Sequence, residues 1–251
     1  MDPYRLPGTT VSTRRLPDGA GAAWGETTTP WRWVGGATDG VYAVAGQHLS
    51  GLESTLEAFK SWFFLDDAVL CLGAGITCSD GVPVETIVDN RRGDAVLTVD
   101  RRAGWYHLEG HAGYQILDGS LRLGRDNGHV MLWLDHGVDP VDASYAYALI
   151  PGSRGPRRLS VLANTSRQQA VHVPSLGLTA AAFWQPGTAG PLTASDPCAV
   201  LVRDRGDGTA TVTVADPRMD LARVTVTWNH HVLVFDLPER DGASWTATIA
   251  V

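Results

Sequence analysis

The chain has 251 residues, with 20 Lys+Arg against 27 Asp+Glu and a formal net charge of −7. That length holds one large β domain or two smaller ones, and either can bury a sizeable core. The acidic balance argues against coating nucleic acid or another polyanion by bulk electrostatics, so any such contact falls to local arginines. Charged residues make up only 19% of the chain, Gly (28) and Pro (14) are plentiful, and Val and Thr recur in short runs. This composition favours strands over long charged helices.

Met1-Asp2-Pro3-Tyr4 has neither the basic n-region nor the apolar h-region of a signal peptide. Residues 1 to about 30 are rich in Thr, Gly and Pro, with turn formers at Pro7-Gly8, Pro17-Asp18-Gly19 and Pro30. They read as an extended, loop-rich entry to a sheet. Trp31-Arg32-Trp33-Val34 alternates aromatic with charged, and Val41-Tyr42-Ala43-Val44-Ala45 follows Gly35-Gly36 and Asp39-Gly40. Two short strands and a hairpin are predicted here. Between Leu52 and Phe59 a helix, with Leu52, Leu56 and Phe59 on one face, competes with an alternating strand.

The chain is organised around Ser61 to Ile76. Apolar runs from Trp62 to Leu65 and from Val69 to Leu72 flank Asp66-Asp67, which predicts a buried hairpin. Its second arm ends in Gly73-Ala74-Gly75, where glycine permits a bulge or the close approach of a neighbouring strand. Carrying two carboxylates, the stretch is too short to cross a bilayer.

Further strands are predicted at 82–88, 95–100, 104–108, 114–117, 130–135 and 144–149, the rhythm of an antiparallel sandwich. Pro151-Gly152-Ser153-Arg154-Gly155-Pro156-Arg157-Arg158 combines turn formers with positive charge and reads as a linker. Strands resume at 159–163, 168–173, 178–184, 198–203, 208–214, 224–227, 232–237 and 244–251. Arg205-Gly206-Asp207-Gly208 before an alternating Thr/Val run is a hairpin signal. Cys71, Cys78 and Cys198 allow at most one disulfide and show no Cys-x-x-Cys spacing. Cys71 and Cys78 either pair across the Gly-rich corner or serve as small buried hydrophobes, the more usual role.

In this order, Trp62-Phe63-Phe64-Leu65-Asp66-Asp67, Cys71-Leu72-Gly73-Ala74-Gly75-Ile76, Val84-Glu85-Thr86 and Asn90-Arg91 resemble the central β-domain of the family 8 polysaccharide lyases, the hyaluronate, chondroitin AC and xanthan lyases. Arg5-Leu6-Pro7-Gly8-Thr9-Thr10, Asp135-His136-Gly137 with Tyr145-Ala146-Tyr147 and Pro151, and Ala163-Asn164-Thr165 with Gln169-Ala170-Val171 fit the same family in the same order. The resemblance covers most of the chain. It implies an all-β fold: a large antiparallel supersandwich over 1–152, a linker at 153–158, and a smaller C-terminal β-sandwich over 159–251.

The resemblance also implies β-elimination across a uronic-acid linkage, in which a base removes the C5 proton and an acid protonates the leaving oxygen. In the family the Asn, His, Tyr and Arg that do this lie in an N-terminal α/α-toroid domain, and no residue here matches those motifs. The expected role is cleft wall and scaffold, with no catalytic residue in this chain. A free-standing carbohydrate-binding or scaffolding module without turnover is the alternative. The implied partners are an acidic polysaccharide and an α/α-toroid domain or chain, with action outside the cell. No nucleic acid, membrane, cofactor or metal is expected.

By the resemblance, the loop from Gly35 to Tyr42 falls where the family presents polar residues toward the catalytic side. Asp39 would then be its carboxylate, although Asp39-Gly40 also reads as a plain hairpin turn. Tyr42 shares that loop, and Gln47 and His48 follow as candidates for hydrogen bonds to sugar or to the partner domain. Trp24, Trp31 and Trp33 either stack on sugar rings or are buried, whereas Trp62, Trp133, Trp184 and Trp228 sit inside apolar runs and read as core. Arg154, Arg157 and Arg158 either meet an acidic glycan or decorate a solvated linker. His136 reads as a hydrogen-bonded structural residue. His230 and His231 would point to opposite faces of a strand, which argues against a shared metal. Glu85 and Asp89 would share a strand face.

Overall fold

The computed structural model describes residues 4–21, 29–93, 95–126, 128–152, 155–238 and 241–251. Trp24 and Arg154 therefore lie outside the described residues. In chain order the strands begin with β1 (Thr10–Ser12), β2 (Val34–Thr38), β3 (Ala43–Ser50), β4 (Glu57–Phe64), β5 (Val69–Thr77) and β6 (Pro83–Arg92). Next come β7 (Leu97–Asp100), β8 (Trp105–Leu108), β9 (Ala112–Asp118), β10 (Leu121–Asp126), β11 (His129–Val138) and β12 (Ala143–Pro151). The series continues with β13 (Ser160–Asn164), β14 (Gln168–Val173), β15 (Leu178–Phe183), β16 (Gly187–Ala189) and β17 (Leu192–Ala194). It closes with β18 (Cys198–Asp204), β19 (Thr209–Ala215), β20 (Arg223–Trp228), β21 (His231–Asp236) and β22 (Trp245–Ala250). Among the described residues the only helical element is a 3₁₀ turn at Pro174–Leu176, so the chain is all-β as expected.

Contacts divide the chain into two compact units. The first comprises Met1–Trp31, Leu49–Phe59 and Gly73–Pro156; the second comprises Arg32–His48, Lys60–Leu72 and Arg157–Val251.

In the first unit β1-β6-β11-β10 form an antiparallel sheet, and β7, β8, β9 and β12 pair side by side. Ile76, Val84, Ile87, Leu108, Leu132, Leu134 and Ile150 fill its core. Tyr114 on β9 is fully buried and donates its hydroxyl to Asp89 on β6. Arg91 Nε in turn donates to both Asp89 oxygens, at 3.1 and 2.9 Å. Burial first, then the Asp89 charge, raises the Tyr114 pKa above the ordinary phenol range, so this phenol stays a donor.

In the second unit β13-β14-β15-β18-β19-β22 and β16-β17-β20-β21 are two antiparallel sheets. Phe183, Val200 and Val212 from the six-stranded sheet share one core with Leu192, Val226 and Phe235 from the four-stranded one. Alternating Thr and Val in β19 build the expected hairpin with β18, in register from Ala199↔Ala215 to Asp204↔Ala210.

The organising stretch folds as the β4–β5 hairpin. Leu65 N–H donates to Ala68 O at 2.9 Å and closes the turn around Asp66 and Asp67. In β5 every residue from Leu70 to Ile76 is buried, which is why its sequence shows no alternation. Glycine serves the close approach: a Cβ on Gly73 would stand 2.1 Å from Tyr145 Cε1.

Several expectations need correction. The strand reading wins over 52–59 only from Glu57 onward, because Gly51 N–H bonds Leu56 O at 2.7 Å across a turn. Trp31 to Trp33 precede β2 instead of forming a strand. Short β10, β16 and β17 fall outside the strands expected from the sequence, since each holds only one or two apolar positions. Glu85 and Asp89 do not share a face. The β6–β11 register shifts between Trp133↔Ile87 and Leu132↔Asp89, and this one-residue bulge turns Asp89 inward. His230 and His231 are close, with ring centroids 4.0 Å apart, because His230 lies in the β20–β21 turn after Asn229 at φ +53°. Cys71, Cys78 and Cys198 are buried and none is in a disulfide, so the pairing of the first two does not form.

Asp80 joins three segments of the first unit. It accepts from Ser54 Oγ at 2.5 Å, Ser12 Oγ at 2.8 Å, and Thr55 N–H and Oγ1 at 2.9 and 2.8 Å. The Ser54 bond leads in holding its carboxyl well below the usual carboxylate range.

Two outcomes follow from this packing. Gly73→Ala is expected to destabilise the protein by about 1–3 kcal/mol, the cost of overpacking a close contact, read as a lower urea midpoint; an unchanged midpoint would contradict the Tyr145 contact. Because the folded Asp80 pKa is depressed, its contribution is present above the unfolded value of about 3.9 and is lost as pH falls through the folded pKa. Asp80→Ala should therefore flatten the loss of stability below about pH 4, measured by denaturation at stepped pH.

Candidate functional site

The loop that joins β2 to β3 carries the polar residues singled out in the sequence. Gly36 lets the two strands meet: a Cβ there would sit 1.8 Å from Val44 O. Asp39 Oδ1 then accepts from the Val41 and Tyr42 N–H groups at 2.9 and 2.8 Å, an Asx turn that fits the hairpin reading. Gly40 takes the left-handed conformation at φ +86°, and Thr38 Oγ1 donates to Tyr42 O at 2.9 Å.

The other Asp39 oxygen faces Arg203 of β18, with Oδ2 3.2 Å from Nε. The pair lies at ion-pair distance but without hydrogen-bond alignment, since both atoms lack a hydrogen-bond partner. The Asp39 side chain is only 5% exposed, so this charge is compensated inside the fold. The Arg203 guanidinium also lies 5.6 Å from the centre of the Tyr42 ring. Tyr42 is buried, and desolvation followed by the neighbouring Asp66 carboxylate raises its pKa. The β4–β5 turn thus serves this loop, and its other acid, Asp67, accepts from Arg157 Nη2 at 2.6 Å.

Asp39 and Tyr42 are therefore brought together, as anchors beneath the loop. Gln47 and His48 are half-buried on β3, where Gln47 is paired with Val34 and His48 N–H donates to Trp33 O at 2.9 Å. Trp33 is not an exposed platform: it is buried, with its ring centroid 4.2 Å from that of Trp184. The two rings occupy the space above Gly46, where a Cβ would stand 2.6 Å from Trp184 and 2.7 Å from Trp33. Trp31, which belongs to the other unit, is 43% exposed.

Elsewhere the first unit holds His136 Nε2 within hydrogen-bond distance of Thr86 Oγ1, at 2.8 Å, with Thr10 Oγ1 2.8 Å beyond. The half-buried His136 thus ends a relay from the buried Thr10–Thr86 pair, which favours a structural histidine. Among the described residues no group of three His, Cys, Asp or Glu side chains is placed to hold a metal ion. Sequence reasoning missed Arg203 and Asp66 as loop supports. Asp66 reads as a turn residue and Arg203 as the end of a strand, and only the fold brings either near Tyr42.

Comparison with known proteins places this architecture. Residues 1–127 match the profile of the polysaccharide lyase family 8 super-sandwich domain, and residues 160–225 match that of the family 8 C-terminal beta-sandwich domain. The hyaluronate lyase of Thermasporomyces composti is 45% identical over 92% of this chain and 35% of its own length. The xanthan lyase of Bacillus sp. (strain GL1) is 31% identical over 86% of this chain and 29% of its own. A Streptomyces coelicolor A3 chondroitin AC lyase, solved in complex with chondroitin sulphate, superposes with a TM-score of 0.91. It is 46% identical over 99% of this chain and 40% of that one. The chain thus spans about a third of the length of the curated relatives it matches. By both profiles and by these likenesses, the chain belongs to polysaccharide lyase family 8, of which it carries the supersandwich and the C-terminal β-sandwich.

Proposed function

We propose that this chain is the β-part of an enzyme that cleaves uronic-acid-containing glycans of hyaluronan, chondroitin or xanthan type by β-elimination outside the cell. It supplies cleft wall and scaffold, while the base and acid come from an α/α-toroid. The division into 1–152, a linker at 153–158 and 159–251 belongs to this reading, and the two family profiles fall on either side of that linker.

The observation that carries the reading is the internally braced loop of the second unit. Asp39 fixes the turn through two backbone donors and is held by Arg203, so the loop keeps its shape without a ligand. Such preorganisation suits a wall that must present groups in a fixed place. Gln47 and His48, half-buried on the adjoining strand, supply the hydrogen bonds to sugar. Asp39 and Tyr42 hold the loop that positions them. Trp31, in the other unit, offers a ring for stacking on its own.

The expected result for this chain alone, incubated with hyaluronan, chondroitin or xanthan, is a flat ultraviolet trace, because elimination would create an absorbing unsaturated uronate. A rising trace that substitutions in this chain abolish would place catalysis here and defeat the reading. A flat trace that persists when the chain is joined to the α/α-toroid of a related lyase favours the free-standing binding module instead. In the active joined enzyme, Gln47→Ala and His48→Ala should each raise KM about three- to tenfold, the worth of one hydrogen bond of ~0.5–1.5 kcal/mol. KM values equal to wild type would remove both residues from the wall.

A further inference from the structure

In the first unit a groove of about 810 Å³ runs beside β1. Arg5, Arg14, Arg15, Tyr4, Leu52 and Trp133 are among the residues that line it. Its charged lining is three arginines and one acid, Glu85, in a protein whose net charge is −7.

The arginines play two different parts. Arg5 belongs to the floor: its Nε and Nη2 donate to Glu85 Oε2 at 3.0 and 2.5 Å. Its Nη1 contacts Met131 Sδ at 3.4 Å, and its guanidinium lies 4.6 Å from the centre of the Trp133 ring. The Glu85 charge is thereby matched, and Arg5 is locked in place. Arg14 and Arg15 form the rim. Both are exposed, and neither has an ion-pair partner among the described residues. Arg14 Nη1 donates to the Glu53 carbonyl at 3.3 Å, which orients the side chain and leaves its charge uncompensated. Between floor and rim stand exposed apolar groups, Tyr4 at 53%, Leu6 at 45% and Leu52 at 41%.

We propose that this groove binds a short stretch of acidic saccharide through Arg14 and Arg15. A uronate or sulfate group meets a guanidinium through two parallel hydrogen bonds, and the apolar face of a pyranose packs on an aromatic ring or aliphatic side chains. The groove offers both, in a volume ordinary for a small-ligand site. Two rim arginines are too few for the basic stripe that nucleic acid requires. The choice of an acidic glycan rests on the reading of the chain as a lyase component; the location rests on the groove itself.

The test is calorimetric titration of the purified chain with hyaluronan and chondroitin sulphate oligosaccharides, with a neutral dextran oligosaccharide as control. Binding of the acidic sugars only is expected, weakened by added salt. Arg14→Ala combined with Arg15→Ala should weaken it about tenfold or more, the worth of one charged hydrogen bond of ~1.5 kcal/mol. Because both side chains are exposed, the thermal midpoint should stay at the wild-type value, which separates lost binding from lost folding. Equal affinity for dextran, unchanged affinity in the double variant, or no acidic-sugar binding by the wild type would each overturn the groove. A double variant that still binds acidic sugars leaves the lyase reading standing, whereas that reading fails separately in the joined-enzyme absorbance assay.

Discussion

In each unit aromatic rings occupy the space that a glycine leaves on a strand, and much of the fold depends on that contact. Trp33 and Trp184 close over Gly46, Tyr145 over Gly73, and Trp105 over Gly113, where a Cβ would stand 1.9 Å from the indole. A ring packed on bare backbone gains the burial of a large apolar surface at a residue that otherwise weakens a strand. The contact also limits register, because a slip of one residue would bring a Cβ under the ring. At Gly46 this sets β3, and β3 paired with β2 sets the loop between them. The braced turn at Asp39 therefore rests on packing that the loop itself does not contain.

Buried and half-buried carboxylates follow the same logic of holding shape. Asp39 is matched by Arg203, Asp89 by Tyr114 and Arg91, and Asp80 by two serines and a threonine. Elimination next to a uronate needs a base that gives up and regains a proton near working pH. Tyr42 and Tyr114 are shifted the other way, since burial and a nearby carboxylate keep both phenols protonated. Raising a phenol pKa keeps the group protonated, and so a hydrogen-bond donor, to higher pH, and makes the phenolate form less readily.

Much of the fold was legible because its signals are local. The Asp66-Asp67 turn, the Arg205 to Gly208 hairpin and most strand positions rest on short-range turn chemistry and apolar runs. What could not be read depends on partners distant in the chain. The bulge that turns Asp89 inward exists only in the β6–β11 pairing. The exposure of Trp33 was open in the sequence and was settled by Trp184. The close approach of His230 and His231 arises because the first ring sits in a turn, where alternation between faces does not apply. For the candidate site, the loop and the turn role of Asp39 were visible, but its brace from Arg203 was not. A strand-end arginine looks the same whether it meets solvent or a buried carboxylate.

The distribution of charge ties these observations together. Arg5, Arg91, Arg157, Arg203 and Arg223 each face a carboxylate at 3.2 Å or less, so much of the positive charge is neutralised within the fold. A protein with a net charge of −7 then repels a polyanion at long range, and attraction must come from short-range sites within about a Debye length, ~8–10 Å in physiological salt. Arg14 and Arg15 are placed for that, beside apolar surface that repulsion does not penalise. An acidic glycan held there would be recognised by pairing and packing, at the cost of the fast electrostatic steering that a basic surface provides. The same arrangement would let such a glycan dissociate as salt rises.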